Sequence, residues 1–135
     1  MSHSKPLKLL KNLPNKLNKF YNKNYKSSLK IINKSKNKKV FDPVTNLDKA
    51  FEKFIRNTIV KQFPKDAILG EEFLEKYSDN DYKWFIDPID GTKAFMLGAP
   101  TWSNLIGLTY KDRPILGLAN FPALNKFYIN DQKKS

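Results

Sequence analysis

Apolar residues recur at steps of three or four over the first 32 residues of the chain, with lysines between them. This period is typical of an amphipathic helix that buries one face and exposes the other. Pro14 lies inside the pattern, so we expect the helix to be broken or offset there. Residues 33–39 are polar and are interpreted as a connector. The apolar positions of this first helix are Leu7, Leu9, Leu10, Leu13, Leu17, Phe20, Tyr21, Tyr25, Leu29, Ile31 and Ile32.

A second helical pattern covers residues 45–63 and has charged residues opposite its apolar face. Thr45 or Asn46 can cap its first turn, and Pro64 ends it. The apolar face consists of Leu47, Ala50, Phe51, Phe54, Ile55, Ile59 and Phe63.

The later apolar runs are short and predict strands at residues 67–69 and 84–86, separated by an exposed loop over residues 75–83. The second of these strands is expected to end at Asp87-Pro88. Two early helices on a largely antiparallel sheet predict an α+β fold. The remaining predictions are a turn at Gly91-Thr92 into a short helix through Leu97, a hairpin of residues 102–110 and 114–120, and a strand over residues 127–129.

The composition narrows the possible chemistry. The chain has 135 residues, of which 40% are hydrophobic, enough for the core of one domain. It has no cysteine, and its single histidine, His3, lies at a terminus that we expect to be frayed. Thiol nucleophiles, cysteine-based zinc sites and Ser-His-Asp triads are therefore excluded. No apolar run is long enough to span a bilayer, so we expect a cytoplasmic protein without a membrane partner.

The net charge of +12 lies entirely in residues 1–40, which contain twelve lysines and no acid. Only Arg56 and Arg113 are arginine, whereas contacts to phosphate favour arginine, so we do not expect a nucleic-acid partner. We interpret residues 1–38 as a basic helix and connector, and residues 39–135 as the domain proper. The alternatives for the basic segment are a membrane-surface helix, a transit peptide and a nucleic-acid-binding arm.

Carboxylates follow both of the short strands predicted before the hairpin. Glu71 and Glu72 come after the first, and Asp87 and Asp90 after the second. If the strands are neighbours, these acids meet at one edge of the sheet, where they repel one another unless a cation neutralises them. Oxygen ligands without histidine or cysteine favour a hard ion, and the sequence therefore predicts a Mg²⁺ site.

The segment from Asp87 to Thr92 suits a site for a metal and a phosphate. Pro88 holds Asp87 extended, and the three-residue step can direct Asp87 and Asp90 at one ion, with the Ile89 carbonyl as a further ligand. Gly91 allows close approach of the backbone, and Thr92 opens a helix whose first amides favour an anion. The alternative is that these residues only form turns and that Thr92 only caps the helix.

These residues strongly resemble the inositol monophosphatase superfamily of Mg²⁺-dependent phosphatases. The resemblance covers about residues 38–128, and its most specific parts are the runs 70–72 and 84–92. It also includes residues 42–48 upstream. Residues 91–102 are most similar to the histidinol-phosphatase branch, which serves histidine biosynthesis.

The resemblance implies roles for particular residues. Glu71, Asp87, the Ile89 carbonyl and Asp90 would be Mg²⁺ ligands, and Asp48 either supports a further metal or is an ordinary first-turn acid. The catalytic residues would be Glu71 and Thr92, which would orient and deprotonate the water that attacks phosphorus. The phosphate would be bound by Glu71, Asp90, Gly91 and Thr92.

The resemblance also implies the layered α/β/α/β/α sugar-phosphatase fold and a small phosphorylated metabolite as substrate. Histidinol phosphate is expected, with inositol 1-phosphate or a 3′-phosphonucleotide as alternatives. Because family members are roughly twice this long, residues 39–135 correspond to the N-terminal half of the phosphatase domain. A homodimer or a second chain could supply the other half, and an inactive half-domain that acts in binding or assembly is the alternative from another functional class.

Overall fold

The computed structural model describes residues 3–24, 31–33 and 43–130, with residues 31–33 and 43–45 described by their backbone alone. It contains three helices and seven strands in these ranges, which confirms the α+β class. The helices are α1 (Ser4–Asn24), α2 (Asn46–Gln62) and α3 (Thr92–Met96). The strands are β1 (Ile31–Asn33), β2 (Pro43–Thr45), β3 (Ala67–Gly70), β4 (Tyr82–Asp90), β5 (Ser103–Tyr110), β6 (Arg113–Phe121) and β7 (Lys126–Asn130).

Strands β3 to β7 form one sheet in chain order, and β1 pairs with β2 in a separate antiparallel ribbon. β3 runs parallel to β4, with Ala67 opposite Lys83 and Gly70 opposite Ile86. The other neighbours in the large sheet are antiparallel. The two strands expected to deliver carboxylates to one edge are therefore adjacent, as predicted.

Helices α1 and α2 cover one face of the large sheet. Leu13 and Leu17 of α1 and Ile55 of α2 are fully buried, together with Trp84 of β4. On the opposite face, alternate residues of the same strands point away from this core, and Phe85 remains 38% exposed. The prediction that two early helices pack on the sheet is confirmed, and the second face lies open across the described residues.

The first helix differs from its prediction in two ways. α1 runs without a break through Pro14, which is buried, so packing against the core offsets the backbone hydrogen bond that proline cannot make. It ends at Asn24, and Ile31 and Ile32 belong to β1 rather than to the helix. Pairing with β2 makes this segment a strand, because a short apolar run fits the period of a helix and that of a strand equally well. Tyr25 and Leu29 lie outside the described residues.

His3 is docked rather than frayed. Its Nδ1 lies 2.8 Å from the Tyr82 hydroxyl, and its ring contacts those of Tyr82 and Tyr110. Tyr82 also begins β4 two residues before the predicted strand, within the segment predicted as a loop. The contacts of His3 with the two tyrosines hold it on the sheet, and the pairing of Tyr82 with Tyr110 extends β4. The local sequence pattern signals neither contact.

The remaining elements agree with the predictions, with one difference in β4. α2, α3, the β5–β6 hairpin and β7 lie within one or two residues of their predicted limits. β4, however, continues past Pro88 to Asp90. Among the described residues, no helix combines the length and apolar character needed to cross a bilayer. The boundary predicted at residues 38–39 falls outside the described residues, and cytoplasmic location stays a prediction.

Candidate metal and phosphate site

The predicted acidic residues lie at the carboxyl ends of two adjacent parallel strands. Glu71 and Glu72 come directly after β3, and β4 carries Asp87 and Asp90. Asp87 pairs with Leu105 of β5, whereas Asp90 pairs with Ser103, so β4 has one extra residue between the two acids. This bulge accommodates Pro88 inside a central strand, where a regular ladder would exclude it.

Asp87 is the electrostatic centre of the cluster. It is partly buried, and its Oδ1 atom is inaccessible to solvent and has no hydrogen-bond partner among the described residues. The pKa of the Asp87 carboxyl is raised to about 7, chiefly by burial and then by the negative charges of Glu71, Asp90, Asp48 and Glu72, in that order. All the acids singled out in the sequence therefore act on this one carboxyl group.

The other acids differ in their surroundings. Asp48 is buried in the first turn of α2, whereas Glu71 and Asp90 are exposed. Within the described residues, no three acidic or histidine side chains are arranged to enclose a metal ion by themselves. The arrangement is thus an open acidic edge rather than a closed protein cage.

Gly91 and Thr92 form the sharp turn from β4 into α3. Gly91 has φ = 83°, a left-handed conformation that favours glycine, and it occupies the N-cap position without a side-chain cap. Thr92 is the first helical residue, and its Oγ1 donates a hydrogen bond to the Ile89 carbonyl at 3.1 Å. Thr92 is therefore not the N-cap residue of α3, and its hydroxyl bonds backward to the bulge.

The first amides of α3 precede its internal hydrogen bonds. The Phe95 amide donates to the Gly91 carbonyl at 3.0 Å, so the amides of residues 92–94 come before the first helical hydrogen bond. They lie beside the acidic strand ends because only Gly91 separates α3 from β4.

Glu52, which was not among the predicted site residues, holds the segment that carries Glu71. Glu52 is fully buried on α2 and pairs with Arg56 at 2.9 Å. Its two carboxylate oxygens accept hydrogen bonds from the amides of Glu72 and Phe73 at 2.9 and 3.0 Å. An acid four residues after Asp48, among the apolar positions of α2, was the signal in the sequence that could have found it.

A sequence profile of the Inositol monophosphatase family matches residues 7–134. The chain belongs to this family. The histidinol-phosphatase of Chlorobaculum parvum is 45% identical to it over 86 residues, which make up 64% of this chain and 33% of that protein. A fructose-1,6-bisphosphatase/inositol-1-monophosphatase of Aquifex aeolicus is 39% identical over 87 residues, again 64% of this chain and 33% of that protein.

Solved structures of the family share the fold. An IMPase/NADP phosphatase complexed with Mg²⁺ and phosphate matches with a TM-score of 0.83 at 20% identity, over 96% of this chain and 48% of that one. The family resemblance and the fold that it implied are thereby confirmed. The chain spans about a third of the length of the two relatives and about half of the solved chain.

The residues present fit a hard divalent cation. Every side chain that acts on Asp87 offers oxygen, and one Asp87 oxygen is buried without a partner among the described residues. An open edge also suits Mg²⁺, which commonly keeps several waters and phosphate oxygens in its shell rather than a closed cage of protein ligands.

Proposed function

We propose that this chain carries the metal- and phosphate-binding part of a Mg²⁺-dependent phosphomonoesterase. The observation that carries the proposal is the buried Asp87 oxygen at the junction of two acidic strand ends, which has no hydrogen-bond partner among the described residues. Burying a carboxylate among four others is costly unless a cation compensates the charge. Phosphatase relatives at 45% and 39% identity support the reaction class.

In this proposal Glu71, Asp87, the Ile89 carbonyl and Asp90 hold the ion, and Asp48 holds a further ion or its water shell. Bound there, Mg²⁺ would neutralise phosphoryl oxygens and act as a Lewis acid toward the monoester. Its donors would all be oxygens, which is the preference of this ion.

Glu71 and Thr92 orient the attacking water, and the proton of this water passes to the Glu71 carboxylate. Thr92 already donates its hydroxyl hydrogen to the Ile89 carbonyl, so the lone pairs of its oxygen are left to accept a hydrogen bond from water. Asp90 and Glu71 complete the phosphate subsite, and the amides of Gly91 and Thr92 donate to the phosphate oxygens.

The substrate that we propose is histidinol phosphate. The histidinol-phosphatase of Chlorobaculum parvum, at 45% identity, supports this choice over the other substrates. Inositol 1-phosphate or a 3′-phosphonucleotide is the alternative, and the 39% identical bifunctional relative keeps the first of these open.

Titration calorimetry with Mg²⁺ and inorganic phosphate tests the binding part of the proposal. We expect Mg²⁺ to bind the 135-residue chain and to increase its affinity for phosphate. A phosphatase assay with histidinol phosphate and inositol 1-phosphate then ranks the substrates. Absence of Mg²⁺ binding would contradict the proposed metal site.

The open sheet face supports a second candidate function, that of a half-domain which binds or assembles with another chain. Leu69, Phe85 and Tyr128 are 36%, 38% and 65% exposed, on strands whose opposite face is the core. Gly107 and Gly117 pair in the middle of this face, and a side chain at either would meet no described residue within 4 Å. Exposed apolar surface of this kind is typical of an interface.

A second copy of this chain, or a chain that supplies the remaining half of the family fold, is the partner we propose. Sedimentation velocity over a range of concentrations, with this chain alone and with the second half of a family member added, distinguishes both assemblies from a monomer. We expect Phe85→Lys to weaken any self-association, because it places a charge on the apolar face. We keep the division into residues 1–38, a basic helix and connector, and residues 39–135, the N-terminal half of the phosphatase domain, as part of this proposal.

A further inference from the structure

Three asparagine amides form a chain of hydrogen bonds that ends on the bulge of β4. Asn104 Nδ2 donates to the Pro88 carbonyl at 2.6 Å. Asn120 Nδ2 donates to Asn104 Oδ1 at 3.1 Å and to Asn18 Oδ1 at 3.1 Å. The chain therefore crosses from α1 through β6 and β5 to the residue directly after Asp87.

The Pro88 carbonyl, at the end of this series of hydrogen bonds, fixes the orientation of every side-chain amide in it. The Pro88 carbonyl can only accept, so Asn104 must direct its amide nitrogen at Pro88 and its oxygen at Asn120. Asn120 must then present its nitrogen to Asn104. The same nitrogen also reaches Asn18, whose own amide nitrogen donates to Asn125 Oδ1 at 3.3 Å.

Burial makes this arrangement hard to replace with water. Asn104 and Asn120 are both fully buried, and Asn120 Oδ1 has no hydrogen-bond partner among the described residues. A core that keeps such a polar pair, with one oxygen unpartnered, bears a cost that an apolar pair would avoid. The β4 bulge accounts for this polar pair, because Asn104 donates to the Pro88 carbonyl of the bulge, between Asp87 and Asp90.

We propose that Asn104 is a positioning residue for the metal ligands, oriented by Asn120 and Asn18. By holding the Pro88 carbonyl, it fixes the bulge and hence the directions in which Asp87 and Asp90 project. The inference rests on the proposed function, because it assumes that these two aspartates bind the ion. It also gives α1 a role in the site, since Asn18 on that helix contacts the chain of amides.

Asn104→Leu removes the amide at nearly constant volume, and Thr109→Val is its matched control. Thr109 also lies on β5 and donates from its side chain to a β4 carbonyl, that of Lys83, at 3.3 Å, but far from the bulge. We expect Asn104→Leu to lower the Mg²⁺ affinity by about 10- to 100-fold, the range for residues that orient metal ligands. Thr109→Val should leave it unchanged.

A second readout needs no metal. Backbone amide NMR shifts of the 15.7 kDa chain should change in Asn104→Leu chiefly at residues 89–91, and Thr109→Val should leave those residues unaffected. If the wild-type chain binds no Mg²⁺, the proposed function fails, and these metal-free shifts alone decide whether Asn104 positions the bulge.

The inference is overturned if Asn104→Leu keeps both the wild-type Mg²⁺ affinity and the wild-type shifts at residues 89–91. It is also overturned if Thr109→Val weakens Mg²⁺ binding equally, because the loss would then be general. Should Asn104→Leu fail to fold, Asn18→Ala on the surface of α1 takes its place. That variant is expected to cause a smaller change of the same kind, and no change at residues 89–91 would count against the proposal.

Discussion

Gly70 lies so close to Glu52 that a Cβ atom on residue 70 would fall 2.5 Å from the carboxyl carbon of Glu52. The Glu52 side chain has little room to move, because Arg56 and the amides of Glu72 and Phe73 hold both of its oxygens. The glycine before the predicted catalytic acid, Glu71, thus allows a buried carboxylate to bind the loop that carries this acid.

We expect Gly70→Ala to lower the free energy of unfolding by about 2 kcal/mol, because Glu52 must move away from two amides that it satisfies. Urea denaturation followed by circular dichroism measures this change. Gly117→Ala is the matched control, since a side chain there meets no atom of the described residues within 4 Å. Equal stability losses in both variants would show that Glu52 does not restrict residue 70.

The regular elements were predictable because local patterns encode them. The helical period of α2 and the short apolar runs of β3 and β4 predicted these three elements. The acids that follow both runs predicted that the carboxylates meet at one edge of the sheet. The turn at Gly91 was likewise readable from its local residue types.

What sequence reasoning missed depends on contacts distant in the chain. Glu52 is separated from Glu72 by 20 residues, and Asn120 from Asn18 by 102, so no local period signals either hydrogen bond. The bulge in β4 follows from its register with β5, and the end of α1 from a strand pairing.

Asp66 provides a prediction about pH. Burial raises the pKa of its carboxyl above the ordinary value of 3.8, although hydrogen bonds from Trp84 and Asn80 and the charge of Lys76 oppose this. In the window between 3.8 and the raised pKa the folded state binds more protons than the unfolded state. The contribution of Asp66 to stability is therefore largest below this window and declines as the pH rises through it.

The test compares the wild type with Asp66→Asn by urea denaturation from about pH 3 to pH 7, because differences between variants cancel most other titrations. The stability advantage of the wild type over Asp66→Asn should shrink as the pH rises. An advantage that grows with pH would mean that the Trp84 and Asn80 hydrogen bonds outweigh burial.

Asp90→Asn removes one anionic ligand at constant volume, so we expect it to weaken Mg²⁺ binding without unfolding the chain. Asp87→Asn should weaken binding too, and it should raise the Tm of the metal-free chain because a buried carboxylate among like charges is lost. Calorimetry and thermal unfolding measure the two effects. Glu75→Gln is the control, since Glu75 pairs with Lys83 at 3.3 Å and is not among the acids that raise the Asp87 pKa.

Two substitutions of Thr92 distinguish a structural role of its hydroxyl from a catalytic one. Thr92→Ala loses the hydrogen bond to the Ile89 carbonyl, which costs about 1 kcal/mol of stability, whereas Thr92→Ser keeps the hydroxyl. If the hydroxyl orients the attacking water, Thr92→Ala also lowers phosphatase turnover by roughly 10²-fold and Thr92→Ser does not.

Turnover is best measured on the chain fused to, or mixed with, the second half of a family member, because this chain covers about half of a solved family structure. Glu71→Gln should lower turnover about as much as Thr92→Ala. The double variant should be little worse than either, since both groups act on one water and their losses are not additive. A Thr92→Ala protein that melts earlier yet keeps its turnover would limit Thr92 to holding the bulge, and losses that multiply in the double variant would place Glu71 and Thr92 on separate steps.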